Sequence, residues 1–359
     1  MKTMKNFGII ENIKNFFIGP SVITFHKSIL PNAQKPLKVP TYDGSGQVVH
    51  PSVIDFLNEY GIDTWSGYRY WMVITPYPNS QDQFENPSLY ASHDGFTWVV
   101  PQNISNPLDT VSEDIDKGFL SDPEMIYNPD SDQLWIYYRF VNSDILRMKL
   151  IQIKPDLTVT KPIIIMEQSP WTQKDNCYRS VCVWREFSNR WHMWGCGGKV
   201  KTPYNTYYFF STDGIHWKDP QLVLNRDGRD PFQALGLSNW HMSGKPNEKE
   251  RRVEFLVYST INNPFRKYVF KSKNPIIYAE CSMDSPTLFV TPLASPVQLS
   301  SKIGWDSGQL YRCSFQIIDD GNGYLYKIWY SAQGSDKQWH IGFTEGYIGT
   351  SKRKGKLAV

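Results

Sequence analysis

Five short apolar strands in this sequence begin with side chains that can exchange protons, bind anions or stack on flat ligands. These side chains are, in chain order, His50, Asp122, Arg179, His241 and Arg312, with Glu124, Trp240 and Tyr311 close by in the sequence. A carboxylate and an imidazole can serve as base and acid near neutral pH, because the unperturbed pKa of histidine is about 6.5. An arginine fork suits carboxylate or phosphate groups, and an aromatic ring can cover the face of a sugar. The set predicts a site for a sugar-like ligand, if the fold brings the five strands together.

The histidines and cysteines do not have the spacing of a local metal or redox motif. The seven histidines include no H-E-x-x-H and no close pair, and the five cysteines include no C-x-x-C. We therefore expect no dedicated zinc site. We expect buried, reduced thiols at Cys177, Cys182, Cys196, Cys281 and Cys313.

Aromatic strands that recur at a fixed interval indicate how the five strands are arranged. They end at Thr75, Arg139, Cys196, Ser259 and Ser331, at intervals of 64, 57, 63 and 72 residues, and another apolar strand precedes each of them. Five four-stranded units of this length predict an all-β, five-bladed β-propeller with a short N-terminal extension. The predicted blades lie near residues 45–105, 118–168, 177–226, 231–300 and 305–350. The first strand of each blade lines the axis of such a ring, so the polar residues above would converge.

A second repeat supports the same fold. Residues 92–98 and 211–217 share the pattern S-x-D-G-x-x-W. Asp-Gly favours a tight hairpin that needs a positive φ, and the serine and aspartate can accept hydrogen bonds from the amides of the turn. We interpret the motif as a structural hairpin. Most of the 13 Trp, 21 Tyr and 19 Phe are likewise assigned to packing between blades.

Charge and termini exclude several classes of function. The net charge of +3 is too small to indicate a nucleic-acid-binding surface. No apolar stretch is long enough to span or insert into a membrane. Residues 1–35 lack an uninterrupted apolar core and a cleavage site, so we expect no signal peptide and interpret them as an arm or attachment segment. The propeller would occupy residues 36–350, followed by a basic tail at 351–359.

The sequence resembles the five-bladed propeller glycoside hydrolases, the clan of arabinanases and invertase-like enzymes. The resemblance lies in Pro-Ser-Val-Ile at 51–54, Ser-Asp-Pro-Glu-Met-Ile at 121–126 and the two S-x-D-G-x-x-W hairpins. It implies a carboxylate in each of the first three blades. His50 stands at the first position, Asp122 supplies the second, and no carboxylate stands near Arg179 at the third. Some members of the clan use a histidine in the reaction. Catalysis by Asp122 together with His50 or His241 therefore remains an alternative.

Other carboxylates could fill the vacant roles. Glu85 lies in a loop after the second strand of blade one, and Asp43 lies in the loop before His50. Asp230 and Asp306 precede blades four and five; for each of the four, turn geometry is the alternative. The acidic residues Glu113, Asp114 and Asp116 offer oxygen ligands for Ca²⁺. Their spacing does not fit a calcium-binding loop, so we favour a solvated loop and predict no cofactor.

A second resemblance is to propeller domains of receptor-binding tail proteins from phages of Gram-positive bacteria. It lies in residues 37–53, 68–95, 308–315 and 328–346. It implies adsorption to a cell-surface glycan such as wall teichoic acid, a location in the virion, and a tail partner or a second copy bound through residues 1–35. If the gene is bacterial, we expect a cytoplasmic protein or one exported without a classical signal.

Three functions follow, in order of preference. The first is a glycan-binding propeller in which Arg179 and Arg312 meet anionic groups, Tyr311 and Trp240 stack on sugars, and Glu124 and Glu85 accept hydrogen bonds. The second is a glycoside hydrolase that uses Asp122 with His50 or His241. The third is a structural virion component. The sequence leaves enzyme activity open, with the balance towards binding.

Overall fold

The computed structural model describes residues 35–111, 118–169, 177–186, 189–199, 202–261, 274–291, 296–297, 299, 304–321 and 323–347. Residues 1–34 of the predicted arm, the tail at 351–359 and the acidic residues Glu113, Asp114 and Asp116 lie outside these ranges.

Five antiparallel sheets make up the described part of the chain, and together they confirm the predicted all-β, five-bladed propeller. Blade one contains β1 (Val48–Asp55), β2 (Tyr70–Pro76) and β3 (Ser88–Ser92). Blade two contains β4 (Gly118–Asn128), β5 (Gln133–Asn142), β6 (Leu146–Ile153) and β7 (Ile163–Gln168). Blade three contains β8 (Cys177–Arg185), β9 (Trp191–Gly198), β10 (Asn205–Ser211) and β11 (Gln221–Leu222). Blade four contains β12 (Leu237–Asn247), β13 (Arg252–Ile261), β14 (Ile276–Ser282) and β15 (Phe289–Val290), and blade five contains β16 (Gln309–Asp319), β17 (Tyr324–Gln333) and β18 (Trp339–Tyr347). The domain limits outside these elements stay predictions.

Helical structure in the described residues is short. Helix α1 (Phe56–Tyr60) follows β1; the Asp55 carboxylate caps it by accepting from the Asn58 amide, and it ends at Gly61. Three 3₁₀ turns occupy Pro78–Ser80, Asp82–Phe84 and Gln233–Leu235. None of these helices has the length and apolar character needed to cross a bilayer.

Aromatic side chains fill the wedges between the blades. Trp71, Trp194 and Trp329 are among the largest fully buried side chains, and Trp135 of blade two stacks on Trp191 of blade three at 4.9 Å between ring centroids. A single blade cannot bury both faces of its sheet, so radial packing supplies most of the core. The five cysteines are all buried and free, as predicted.

The two S-x-D-G-x-x-W segments form the predicted hairpins. In the second, Ser211 Oγ accepts from the amides of Asp213 and Gly214, and Asp213 Oδ1 accepts from the amides of Ile215 and His216. Gly214 has φ +74°, and a Cβ there would lie 2.9 Å from the rings of Trp135 and Trp191. The glycine is therefore required both by the turn and by the neighbouring rings.

The first strands of the five blades contact one another in the order β1, β4, β8, β12, β16 and back to β1, so they surround the axis. The ring is closed by a segment before β1, in which the Leu37 amide donates to the Ile341 carbonyl of β18 at 2.8 Å. Leu37 and Val39 also pack with Ile341 and Phe343 of blade five. The ring order brings the N-terminal ends of the five first strands to one opening, which we call the mouth.

Candidate active site

Each of the five strands around the axis has a β-bulge near its start. The pairing with the second strand shifts between Val49 and Ser52, Ser121 and Glu124, Tyr178 and Ser180, Asn239 and His241, and Leu310 and Cys313. A bulge adds a residue to one strand and re-aims its side chain. Two of the bulged residues, His50 and Asp122, have φ values of 59° and 54°, which are uncommon for residues other than glycine. The repeated bulge explains why residues far apart in sequence face one another at the mouth.

His50, Asp122 and His241 form a compact buried cluster, the triad. Asp122 Oδ1 lies 3.1 Å from His50 Nε2 and 3.0 Å from His241 Nδ1, and one ligand atom from each of the three residues lies within 4.8 Å of the others. None of these three atoms has hydrogen-bond geometry to any partner in the described residues. Two ring nitrogens thus approach one carboxylate oxygen without a hydrogen bond, an arrangement that a shared cation would satisfy.

The charges of the triad are set by burial and by a neighbouring arginine. Burial lowers the pKa of both His50 and His241, although Asp122 opposes the shift, so both imidazoles are neutral at pH 7. Burial raises the pKa of Asp122, but Arg139, His241 and His50 outweigh it and hold that pKa well below its ordinary value. The Arg139 Nε lies 2.5 Å from Asp122 Oδ2. Two neutral imidazoles and a carboxylate are a common ligand set for a divalent transition metal.

The second strand of each blade supports the bulge beside it. Thr75 Oγ1 lies 3.0 Å from His50 Nδ1, and Ser331 Oγ accepts from the His50 amide. Arg139 occupies the corresponding place beside Asp122, and Ser259 Oγ donates to Asn239 Oδ1 next to the bulge of blade four. Arg139 and Thr75 are not among the predicted site residues. Each is the last residue of one of the aromatic strands that recur in the sequence, and this shared position could have identified both of them.

Glu85 and Tyr311 complete the wall around His50. Glu85 Oε1 lies 3.6 Å from His50 Nδ1, and burial, followed by repulsion from Asp122, raises the pKa of Glu85 well above its ordinary value. The Tyr311 ring lies 5.0 Å from the His50 ring and 4.4 Å from the His241 ring, and burial keeps its hydroxyl protonated by raising its pKa. A carboxyl group that can hold a proton and a phenol that can donate one thus flank the triad.

Arg312 and Glu124 lie deeper in the channel and bind each other. Arg312 is 1% exposed, and its Nη2 lies 2.5 Å from Glu124 Oε2. The guanidinium also donates to the carbonyls of Pro123 and Val181. It therefore links blades five, two and three, which favours a structural role. The ligand contacts predicted for Arg312 and Glu124 gain no support from this burial.

Arg179 and Trp240 lie on the side of the mouth formed by blades three and four. The Arg179 guanidinium carbon lies 4.9 Å from the ring centroids of both Tyr204 and Trp240, and the side chain is partly exposed. Trp240 directly precedes His241 of the triad. The ligand-binding role of Arg179 and Trp240 stays a prediction.

Two of the other candidate carboxylates serve the fold. Asp230 accepts from the amides of Phe232, Gln233 and Thr206, and Asp306 accepts from the Tyr330 hydroxyl at 2.8 Å. Asp43 lies in the segment 41–44, which forms a turn. The acidic segment predicted as a loop, with its alternative Ca²⁺ site, lies outside the described residues.

The sequence spacing of the histidines and cysteines predicted no dedicated zinc site, but the arrangement of the triad is that of a metal-binding site. His50 and His241 are 191 positions apart in the sequence, but neighbouring first strands bring them together on one carboxylate oxygen. Motif spacing describes sites built within one local element, whereas this cluster takes one residue from each of three blades.

No family model matches the sequence. A curated relative, the A type blood N-acetyl-α-D-galactosamine deacetylase of Flavonifractor plautii, is 28% identical over 335 residues, and the match covers 81% of this chain. The chain spans about two fifths of that relative's length, since the match covers 40% of it.

Solved structures share the fold at lower identity. An N-acetylgalactosamine deacetylase from F. plautii, in complex with blood group B trisaccharide, has a TM-score of 0.71 at 21% identity and covers 88% of this chain and 95% of its own. A glycosyl hydrolase from Bacteroides ovatus has a TM-score of 0.53 at 13% identity over 92% of this chain and 96% of its own. The α-L-arabinanase of Penicillium chrysogenum has a TM-score of 0.50 at 12% identity over 85% and 78%. The fold is thus the five-bladed propeller found in glycoside hydrolases, as the first resemblance implied.

The preferred functional prediction is wrong. The curated relative is an enzyme that modifies a carbohydrate, which overturns a non-enzymatic propeller for wall teichoic acid and phage adsorption. The segments that carried the phage resemblance have a structural explanation: residues 68–95 contain β2, β3 and the first S-x-D-G hairpin. The comparisons show no tail partner, and the localisation of the protein, including the virion location, stays a prediction.

Proposed function

We propose that the protein is a carbohydrate-modifying hydrolase that removes the N-acetyl group from an amino sugar with the help of a divalent cation. The triad carries the proposal, because its two neutral imidazoles and one ionised carboxylate converge without satisfying one another by hydrogen bonds. The name of the curated relative, a deacetylase of N-acetyl-α-D-galactosamine, supports an amide as the bond that is cleaved.

The residues present fit such a cation. His50 Nε2, His241 Nδ1 and one oxygen of Asp122 would be its ligands. Thr75 holds the other nitrogen of the His50 ring, and Arg139 holds the other oxygen of Asp122, so both ligands are oriented from behind. When bound, a divalent cation supplies Lewis-acid polarisation of a carbonyl oxygen and lowers the pKa of water.

The chain itself supplies the proton chemistry. Amide hydrolysis adds water across the C–N bond, so that one proton leaves the water and one reaches the departing amine. We assign both transfers to Glu85, because burial raises its pKa well above that of an exposed carboxyl group and it lies beside His50. Tyr311, protonated and packed on both imidazoles, is placed to donate a hydrogen bond to the oxygen on which negative charge develops.

Glycoside hydrolysis is the second candidate, favoured by one observation. Glu85 and Asp122 flank the two nitrogens of the same His50 ring, and the reaction requires two carboxyl groups about 5–10 Å apart. We place it second because Asp122 is held by Arg139 and by two imidazoles, which leaves it little freedom to approach a sugar carbon.

A single chromogenic substrate separates the two reactions. With 4-nitrophenyl N-acetyl-α-D-galactosaminide and Zn²⁺ or Mn²⁺, a deacetylase releases acetate and leaves the nitrophenyl group attached, whereas a glycosidase releases nitrophenol. We expect acetate alone from the wild type, and its loss in Asp122→Asn and His241→Gln. His192→Gln is the matched control, because His192 is a buried histidine bound to Tyr208 away from the triad.

Nitrophenol without acetate would replace the first proposal by the second. Full acetate release by Asp122→Asn or His241→Gln would refute the role of the triad. Equal rates with EDTA and with added metal would refute the role of the cation.

A further inference from the structure

The two arginines predicted to meet an anionic ligand have different surroundings in the structure. Arg312 is fully buried and is bound by Glu124 and two carbonyl oxygens. Arg179 is partly exposed, and among the described residues no carboxylate lies within ion-pair distance of it. The Nε atoms of both arginines are buried and have no hydrogen-bond partner in the same part of the chain, so the difference between them lies in the missing carboxylate and the partial exposure of Arg179. Arg179 is thus the arginine of the mouth that keeps an uncompensated positive charge.

The aromatic contacts of Arg179 hold the guanidinium in place without neutralising it. Tyr204 and Trp240 each lie 4.9 Å from the guanidinium carbon, and their rings meet edge to face at 5.6 Å. Cation–π contacts of this kind fix the plane of the group, while its N–H donors remain able to bind an oxyanion. We call Arg179, Tyr204 and Trp240 the arginine clamp.

The surrounding charges strengthen the preference for an anion. Two buried carboxylates of the first strands are already paired, Asp122 with Arg139 and Glu124 with Arg312. The charge on Arg179 is therefore not cancelled by either of them, and a partly desolvated guanidinium gains most from a charged acceptor.

The clamp and the triad occupy equivalent parts of their blades. Arg179 occupies the bulge of β8, the position that His50 and Asp122 occupy in their own blades. Trp240 is adjacent in sequence to His241, and Tyr204 is tied to β12 because its amide donates to Ser238 Oγ. The clamp is therefore built on blades three and four, and blade four also carries His241 of the triad.

We propose that Arg179 selects an acidic glycan, one in which a carboxylate or a sulfate lies next to the N-acetyl group that is removed. The inference rests on the proposed function for the reaction, but the subsite itself is a matter of binding. The anionic group would accept paired hydrogen bonds from the guanidinium, with Tyr204 and Trp240 covering its faces.

Matched ligands test the charge alone. The first pair is a disaccharide of glucuronic acid and N-acetylgalactosamine and its carboxyl-reduced form, in which a hydroxymethyl group replaces the carboxylate. The second pair is N-acetylgalactosamine with and without a 4-O-sulfate. Dissociation constants are measured by calorimetry, and kcat/KM by acetate release. We expect the wild type to prefer at least one acidic ligand by about 10- to 100-fold, the range for hydrogen bonds to a charged group.

Variants then assign that preference to Arg179. Arg179→Met keeps the apolar stem and should reduce the preference for the acidic ligand at least tenfold. Arg179→Lys keeps the charge without the fork and should retain part of it. Arg190→Met is the control, since Arg190 also lies over an aromatic ring, Phe210, but away from the mouth. It should leave the preference unchanged.

The outcomes separate this proposal from the one on which it rests. If no acetate is released from any ligand but the acidic forms bind more tightly, deacetylation fails and the subsite stands. If acetate is released with no preference within either pair, or if Arg179→Met weakens both members of a pair equally, the subsite is overturned. Should Arg179→Met not fold, the charge is tested with Arg179→Lys and by raising salt, which must weaken binding of the acidic member more than of the neutral one.

Discussion

Replacing Arg312 by methionine distinguishes a structural pair in the channel from a ligand-binding arginine. Arg312 and Glu124 are 1% and 6% exposed, and the closest atoms of the pair are 2.5 Å apart. Removal of one partner leaves a buried, uncompensated carboxylate, which costs about 3–5 kcal/mol. The Pro123 and Val181 carbonyls lose donors as well, so we expect the free energy of unfolding to fall by at least the lower end of that range.

The double variant shows whether the cost belongs to the pair. Arg312→Met with Glu124→Gln removes both charges at once, and replacement of a whole buried ion pair is often neutral or stabilising. We therefore expect the double variant to be more stable than Arg312→Met, with a coupling free energy of at least about 2 kcal/mol. Urea unfolding followed by the fluorescence of the 13 tryptophans measures all four proteins of the cycle.

The result that would refute this reasoning is additivity. If the two single substitutions sum to the double variant within about 0.5 kcal/mol, the pair is not coupled and its burial has been misjudged. A stable Arg312→Met protein that no longer binds the glycans described above would instead return Arg312 to the ligand-binding role.

Three further predictions follow from the site and the hairpins. Zn²⁺ or Mn²⁺ at 100-fold excess over its dissociation constant should stabilise the wild type by about 2.7 kcal/mol in thermal unfolding; the gain should vanish in His241→Gln and persist in His192→Gln. Gly214→Ala should destabilise the protein by about 1–3 kcal/mol more than Gly228→Ala, because both have positive φ but Gly228 has nothing within 4 Å of its Cβ position; equal losses in urea unfolding would exclude the clash. Burial raises the pKa of Asp94, but the amides of Thr97 and Phe96 outweigh it and lower that pKa. Asp94→Asn should therefore lose stability at pH 7, and the loss should shrink as pH falls below the unfolded pKa of about 3.9 and vanish below the lowered pKa of the folded state; a pH-independent difference would contradict this.

The fold could be predicted because its signals repeat. The interval of about sixty residues between aromatic strands reflects one blade, and the S-x-D-G-x-x-W pattern reflects a hairpin whose serine and aspartate accept hydrogen bonds from amides of the turn. Both signals are local, so they survive in a single sequence. They also placed His50, Asp122, Arg179, His241 and Arg312 at corresponding positions on the first strands, although the structure buries Arg312 against Glu124.

The pairing of charges could not be predicted from the same signals. Asp122 binds Arg139 of its own blade, and Arg139 is not among the site residues predicted from the sequence. The choice depends on the bulge after Ser121, which places Asp122 next to the residue paired with Arg139, and a bulge has no clear signature in these residues. The pairing of Arg312 with Glu124 depends in the same way on contacts between blades that are 188 residues apart in sequence.

The metal-binding geometry has a physical reason for escaping motif searches. Known motifs space their ligands by the period of one helix or one turn, because a local element must present them together. In a propeller the ring of blades brings the ligands together, because equivalent positions of successive blades are neighbours around the axis. His50, Asp122 and His241 come from blades one, two and four. Thr75 and Arg139, which orient two of them, lie on the second strands of their blades, opposite the residues that precede the bulges. A search by position within the repeat, instead of by distance along the chain, would have found the ligands and their supports together.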